Sequence, residues 1–375
     1  MRSSQGVRRP GVAYGKHVQA AKVALGASLD SVCKIYLDTN FWLRLRDVCL
    51  GRNTDTDWCM MRQQLQEMAT AKQVVCPLSE ETFREVFLQS DSNTLKETLR
   101  LIDQLSLGTC LLGPHERMHR EAFHFIRRIS GINAGELHPL NHLVWTRTSF
   151  AIGHPTPMMT NMDEESEFAI QTNFFDYMWK RSLSDMVDVM GDNITKWDAA
   201  MPDMSKQMNE GKSANYGDYR SFQDLFLIEL RGVLECHKSD FSNIMHQIIE
   251  RDYGRRMTEM EQANDTSGQR IANIIYWAFE HGKITNDLPT FNVFAKLHAG
   301  MRWDRQRKYK ANDLADIRHA CTAIPYCDFF FTERSLCHLV SDKTVGLAST
   351  FPCQTISNVQ SALDAIRNRR IKEIA

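Results

Sequence analysis

The sequence predicts an α/β fold whose parallel sheet is built from the two ends of the chain and interrupted by a large all-helical insertion. Three observations lead there. The apolar run Ile35-Tyr36-Leu37 is followed directly by Asp38, and Val74-Val75-Cys76 is a second short apolar run. Near the other end, Phe329-Phe330-Phe331 is flanked by Asp328 and Glu333 and follows an acid-headed segment, Asn312 to Ala323. Between them, from about 92 to 300, apolar residues recur at helical spacing and strand-like alternation is missing.

The 375 residues suffice for a sizeable core and more than one structural unit. An apolar fraction of 43% and a charged fraction of 24% are those of an ordinary soluble chain, and a formal net charge of −1 gives no global field for polyanions. Nucleic acid would need a local basic patch. No uncharged apolar run is long enough to span a bilayer. Arg2, Arg8, Arg9 and Lys16 precede no continuous apolar stretch, so the start reads poorly as a signal peptide. The ten cysteines contain no Cys-x-x-Cys pair, which predicts reduced thiols and a cytoplasmic protein.

Residues 1–30, basic and rich in Gly and Ser, read as a flexible arm or a weak helix. The first half of the α/β domain spans 31–91. There the strand ending at Leu37 is followed by a helix from Asp55 to Lys72, marked by Trp58, Met61, Leu65 and Met68. After the strand at Val74, Ser79 reads as the N-cap of a helix over Thr82–Gln89. Strand, helix, strand, helix is the order of a parallel sheet. The helical insertion spans 92–300, with helices expected over 95–107, 116–129, 164–190, 222–253 and 271–282 and polar separators at 132–162 and 191–220. The second half of the domain spans 301–375. It holds a helix over Asp313–Ala323 with Asn312 as N-cap, a strand over Asp328–Thr332, another over Phe351–Thr355 and a closing helix over Ser357–Arg370.

Asp38 sits at the carboxyl end of a strand, where open α/β sheets place their ligands. Asp316 lies in the first turns of a helix, where the backbone dipole favours an anion, and Asp313 is its neighbour three residues earlier. Glu85 lies six residues past Ser79; Asp328 and Glu333 bracket the Phe strand. Carboxylates converging on one cleft repel, and either one takes up a proton or a cation neutralises them. Hard oxygen ligands select Mg²⁺ or Mn²⁺. Such ions activate water and offset charge on a phosphodiester.

Tyr36-Leu37-Asp38-Thr39-Asn40 resembles the opening motif of PIN-domain metal-dependent nucleases. The segment Pro77 to Glu85, with Ser79 opening a helix and Glu85 six residues on, resembles their second motif. Asp316 heading the Ala-containing segment to Ala323, followed by a strand ending in Thr332, is similar to their third. The resemblance covers about 34–90 and 310–370. It implies a three-layer α/β/α fold, dependence on Mg²⁺ or Mn²⁺ and cleavage of single-stranded or structured RNA. It implies Asp38, Glu85, Asp316 and Asp313 as catalytic carboxylates. Asp38, Asp316, Asp313, Glu333 and Asp328 form the pool of metal ligands, and Thr39, Asn40, Ser79 and Thr332 are supporting polar residues.

Two features depart from the family. Arg334 stands where an acid is usual two residues after the strand-ending Thr, leaving Glu333 or Asp328 to serve, and the insertion is unusually long. The run Arg302, Trp303, Arg305, Arg307, Lys308, Tyr309, Lys310 precedes the acidic helix and offers cations for phosphates and rings for base stacking. The expectation is a cytoplasmic endoribonuclease acting on RNA. Its insertion would serve a protein partner or regulator, as in a toxin or defence effector; an oligomer is compatible, a membrane role is not. The competing readings are a non-catalytic RNA-binding scaffold on a degenerate PIN fold and a structure-specific DNA nuclease.

Overall fold

A computed structural model describes residues 10–131, 137–158, 162–190, 204–215, 217–284 and 286–374. The chain is a mixed α/β protein dominated by helix. Its strands are β1 (Cys33–Leu37), β2 (Val74–Val75), β3 (Thr109–Leu111), β4 (Trp145–Arg147), β5 (Phe329–Phe331) and β6 (Gln354–Ile356). Contacts divide the described residues into two compact units. The first draws on Met1–Cys33, Gln63–Gly113 and His138–Ala199, the second on Lys34–Arg62, Pro114–Leu137 and Ala200–Ala375. The stretch 92–300 is therefore shared between the units rather than forming one of its own.

In the first unit, residues 10–28, expected as part of a flexible arm or weak helix, form the helix Pro10–Ser28; residues 1–9 lie outside the described residues. Tyr14 on this helix packs with Phe150 and Phe175 in a buried aromatic cluster. The chain leaving β2 runs parallel to β3, with Leu78 N–H donating to Thr109 O and Leu111 N–H to Leu78 O. β3 in turn pairs antiparallel with β4, Cys110 opposite Thr146. The region expected to be all helical thus contains strands. Three-residue strands are too short to show alternation, which is why the sequence hides them. The expected helix over 164–190 is two helices, Glu164–Trp179 and Leu183–Met190. Asp103 fixes the start of the second by accepting from Leu183 N and Ser184 N, both at 2.9 Å.

The second unit contains the parallel pairing on which the candidate site is built. β5 pairs with β1 in the register Ile35–Phe329, Tyr36–Phe330, Leu37–Phe331, and with β6 on its other side. Ile35, Tyr36, Leu37, Phe330 and Phe331 are fully buried, which explains why these runs read as uninterrupted apolar sequence. The helix Asp313–Ala323 falls where expected, but Asn312 makes no side-chain cap; its backbone is already helical at φ −86°, ψ −12°. The expected helix over 222–253 is Phe222–Cys236 followed by Lys238–Tyr253. Helices Ser205–Ala214, Pro289–Trp303 and Arg334–Ser341 had no counterpart in the sequence reading.

A buried polar network ties three of these helices together. Arg117, fully buried on helix Pro114–Ser130, donates from Nη2 to Thr322 Oγ1 at 3.0 Å and from Nε to Thr290 Oγ1 at 3.3 Å. Glu121, one turn on, accepts from Thr290 N, from the Thr290 hydroxyl and from Tyr326 Oη at 2.6 Å. Burial pushes the Glu121 carboxyl up to about 7, against the opposing effect of these donors and of Arg117. Removing one partner from such a network leaves the others buried and unsatisfied. Glu121→Ala should therefore cost about 2–4 kcal/mol of stability in denaturant unfolding; a loss below about 0.5 kcal/mol, the range of ordinary surface substitutions, would show the network to be dispensable.

Candidate functional site

Asp38 occupies the carboxyl end of β1, and its N–H donates to Phe331 O at 3.0 Å, extending the parallel ladder one residue past the strand. It is also the N-cap of helix Thr39–Cys49, accepting from Phe41 N at 3.2 Å. The residue is 7% exposed. The adjoining strand ends in Thr332, so the two chain ends meet at one edge of the sheet. Just beyond it Glu333 is exposed at the N-cap position of helix Arg334–Ser341 but makes no cap with its side chain.

Asp313 and Asp316 come from the first turns of helix Asp313–Ala323. Asp313 is buried; its Oδ2 accepts from Lys310 N at 2.7 Å and its Oδ1 lies 3.9 Å from Arg307 Nη2. Asp316 is half-buried, and its carboxyl is pushed up to about 7. Burial is the largest cause. The charges of Glu333, Asp313 and Asp38 add to it, and His319 opposes them. Four carboxylates from three segments of one unit therefore share a field. His319 is a buried residue whose Nδ1 lies 2.7 Å from Tyr36 Oη, in keeping with a packing role.

The hydroxyls of Thr39 and Thr332 are buried at this edge with no hydrogen-bond partner. Native proteins rarely leave such atoms unsatisfied. A set of carboxylate oxygens of this kind fits a hard cation and its waters. Among the described residues, no three of these carboxylates bring oxygens within 4.8 Å of one another. An ion such as Mg²⁺ keeps several waters and takes one or two carboxylates directly.

Asp328 is not part of the group. The register puts it at the amino edge of the sheet opposite Lys34, where its Oδ2 accepts from Lys34 N at 2.8 Å. Four residues of extended chain, about 13 Å, separate that edge from Thr332. Of the two candidates for the missing acid, Glu333 is the one at the site. Asn40 is exposed in the first turn after Asp38. Ser79 and Glu85 belong to the other unit. Ser79 caps helix Glu80–Val86, as expected, by accepting from Thr82 N at 3.2 Å, and Glu85 is half-buried near that helix's end.

Comparison with known proteins returned no match. Neither a family model, nor a curated protein, nor a solved structure resembles the chain closely enough to be reported. The chemistry of the site must be read from its own residues.

The basic run divides into structural and accessible parts. Arg302 is paired with Glu229, and Tyr309 is 5% exposed with its hydroxyl on His298 O; neither is a surface contact for nucleic acid. Trp303 packs between Tyr219 and Phe222, each ring centre 5.9 Å away, and keeps part of its surface exposed. Arg305, Lys308 and Lys310 are exposed. Arg307, Lys308 and Lys310 line a single cleft with Asp313 and Ser335, which places cations beside Asp313.

Sequence reasoning missed what holds this run in place. Asn209 brackets Tyr309, accepting from its N–H at 2.8 Å and donating to its carbonyl at 2.9 Å. Buried Lys212 donates to the carbonyls of Met301, Asp304 and Arg307 at 2.6–2.7 Å. Both lie in a stretch whose polar composition read as a separator; a lysine meeting three carbonyls leaves no sequence signal.

The raised Asp316 carboxyl has a consequence for stability. Folding favours its protonated form, so its contribution is complete below the ordinary Asp range, about pH 4, and is lost as pH rises through about 7. Metal-free protein should lose stability across that window. Asp316→Asn should lose less, with Glu121 supplying the remaining fall of the same sign. Equal slopes for the two proteins in thermal melts from pH 4 to 8 would contradict the clustering of charge around Asp316.

Proposed function

We propose that this protein is a divalent-metal-dependent, PIN-like endoribonuclease that hydrolyses RNA phosphodiester bonds at the acidic edge of its parallel sheet. The observation that carries the reading is the convergence of Asp38, Asp313, Asp316 and Glu333 where β1 and β5 end, with Asp316 feeling the charge of the other three. The motif order that resembles PIN domains supports the same reading. Asp38 and Asp316 would hold Mg²⁺ or Mn²⁺, with Asp313 and Glu333 completing the oxygen set. When bound, the ion supplies a water of lowered pKa and offsets the charge of the phosphodiester.

The chain's own residues prepare that site. Without a cation Asp316 holds a proton near neutrality, so cation binding is coupled to proton release. Asp38 is kept in place by its cap on Phe41 N and by the ladder bond to Phe331. Lys308 and Lys310 attract the phosphates of a strand passing the acids. Arg307 is shared between Asp313 and Ser335 and holds the cleft wall. The set lies within one unit, and the proposal does not rest on Glu85.

The competing scaffold reading has one observation behind it: exposed Arg334 occupies the position where the resemblance places an acid. Incubation with labelled single-stranded RNA and DNA in Mn²⁺ separates the alternatives. RNA should be cut, and Asp38→Asn and Asp316→Asn should each reduce the rate by at least about 100-fold. Cutting of DNA alone would move the protein to the DNA nucleases. Binding without cutting would support the scaffold, and cutting unchanged in both variants would place the chemistry elsewhere.

A further inference from the structure

A second cluster of ligand-type side chains lies on a different pair of helices in the same unit. His115 opens helix Pro114–Ser130, and His237 and Asp240 open helix Lys238–Tyr253. His115 Nε2 lies 3.1 Å from Asp240 Oδ2, and His237 Nδ1 lies 2.8 Å from the same oxygen. The three ligand atoms are all within 4.8 Å of one another; among the described residues, no other group of three or more His, Cys, Asp or Glu does this. Ligands held tetrahedrally at 2.0–2.2 Å from an ion stand about 3.4 Å apart, so only small adjustments separate this arrangement from coordination.

Further features of the two helices accompany this cluster. The segment His115-Glu116-Arg117-Met118-His119 places a second imidazole one turn along the same helix face, the spacing with which helices present paired histidines to zinc. His119 feels the charges of both Asp240 and His115. The His237 ring is itself held, edge-on to buried Phe291 at 5.5 Å between centres. Twelve residues further along both helices, Arg127 and Asp252 form a buried ion pair, so the two helices are pinned at corresponding positions. A cation at the other end would complete the clamp.

We propose that His115, His237 and Asp240 form a binding site for a borderline divalent cation of the Zn²⁺ class. Imidazole nitrogens with one carboxylate suit Zn²⁺ and not Mg²⁺, so the site is chemically distinct from the acidic edge and does not depend on the nuclease reading. Its role is to clamp the starts of the two helices, which makes stability the natural readout.

Calorimetric titration of the full chain with ZnCl₂ tests the site. One equivalent should bind, raise the thermal midpoint, and resist competition by excess Mg²⁺. His115→Ala, at an exposed position that folding tolerates, should weaken binding at least about tenfold. The triple variant His115→Ala, His237→Ala, Asp240→Ala should abolish it, whereas Asp38→Asn with Asp316→Asn should leave it unchanged. Binding that survives in the triple variant belongs to thiols or other groups and overturns the proposal. Absence of binding to the wild-type chain does the same.

Discussion

The candidate site depends on one parallel pairing, β1 against β5. Nearly 300 residues separate these strands in sequence, and their register fixes which side chains meet. Leu37 opposite Phe331 brings Asp38 level with Thr332, and the ladder bond from Asp38 N to Phe331 O locks that step. A slip of one residue would turn every side chain of β5 to the other face. The fully buried Phe330 and Phe331 make such a slip costly, each worth about 1.5–3 kcal/mol of burial. The apolar strand thus supplies the precision, and the residues just past its end supply the chemistry.

The helix that brings Asp313 and Asp316 to this edge is held from its far side. Thr322, two turns beyond Asp316, accepts from buried Arg117, and Tyr326 reaches Glu121. This buried polar network anchors the helix that carries Asp313 and Asp316. The Asp316 carboxyl is raised first by its burial and then by the neighbouring charges of Glu333, Asp313 and Asp38. The Lys212 contacts act likewise on the basic segment, holding its backbone while leaving Lys308 and Lys310 at the surface.

Much of this site was legible in the sequence, because local rules wrote it. A carboxylate closing an apolar strand and two acids three apart in a first turn are short-range signals, as is the Ser cap in the other unit. The structure bears out Asp38 at a strand end, Ser79 as a cap and helix Asp313–Ala323. The choice between Asp328 and Glu333 was not legible, since both flank the same strand; only the direction and register of pairing put Asp328 at the opposite edge. Tyr309 and Arg302 looked like surface contacts because an aromatic in a basic run resembles a stacking platform. Tyr309 is buried and bracketed by Asn209, and Arg302 is held by Glu229, both distant in sequence. β3 and β4 escaped because three residues carry no period.

The central claim is that the carboxylates at the end of β1 and β5 share one electrostatic environment that a divalent cation can relieve. Carbon-13 NMR titration of aspartate-labelled protein measures this at Asp316, assigned through Asp316→Asn. Without metal its carboxyl should titrate far above the ordinary aspartate range, near 7, and saturating Mg²⁺ should move the transition to lower pH. A carboxyl titrating in the ordinary range and indifferent to Mg²⁺ would contradict it.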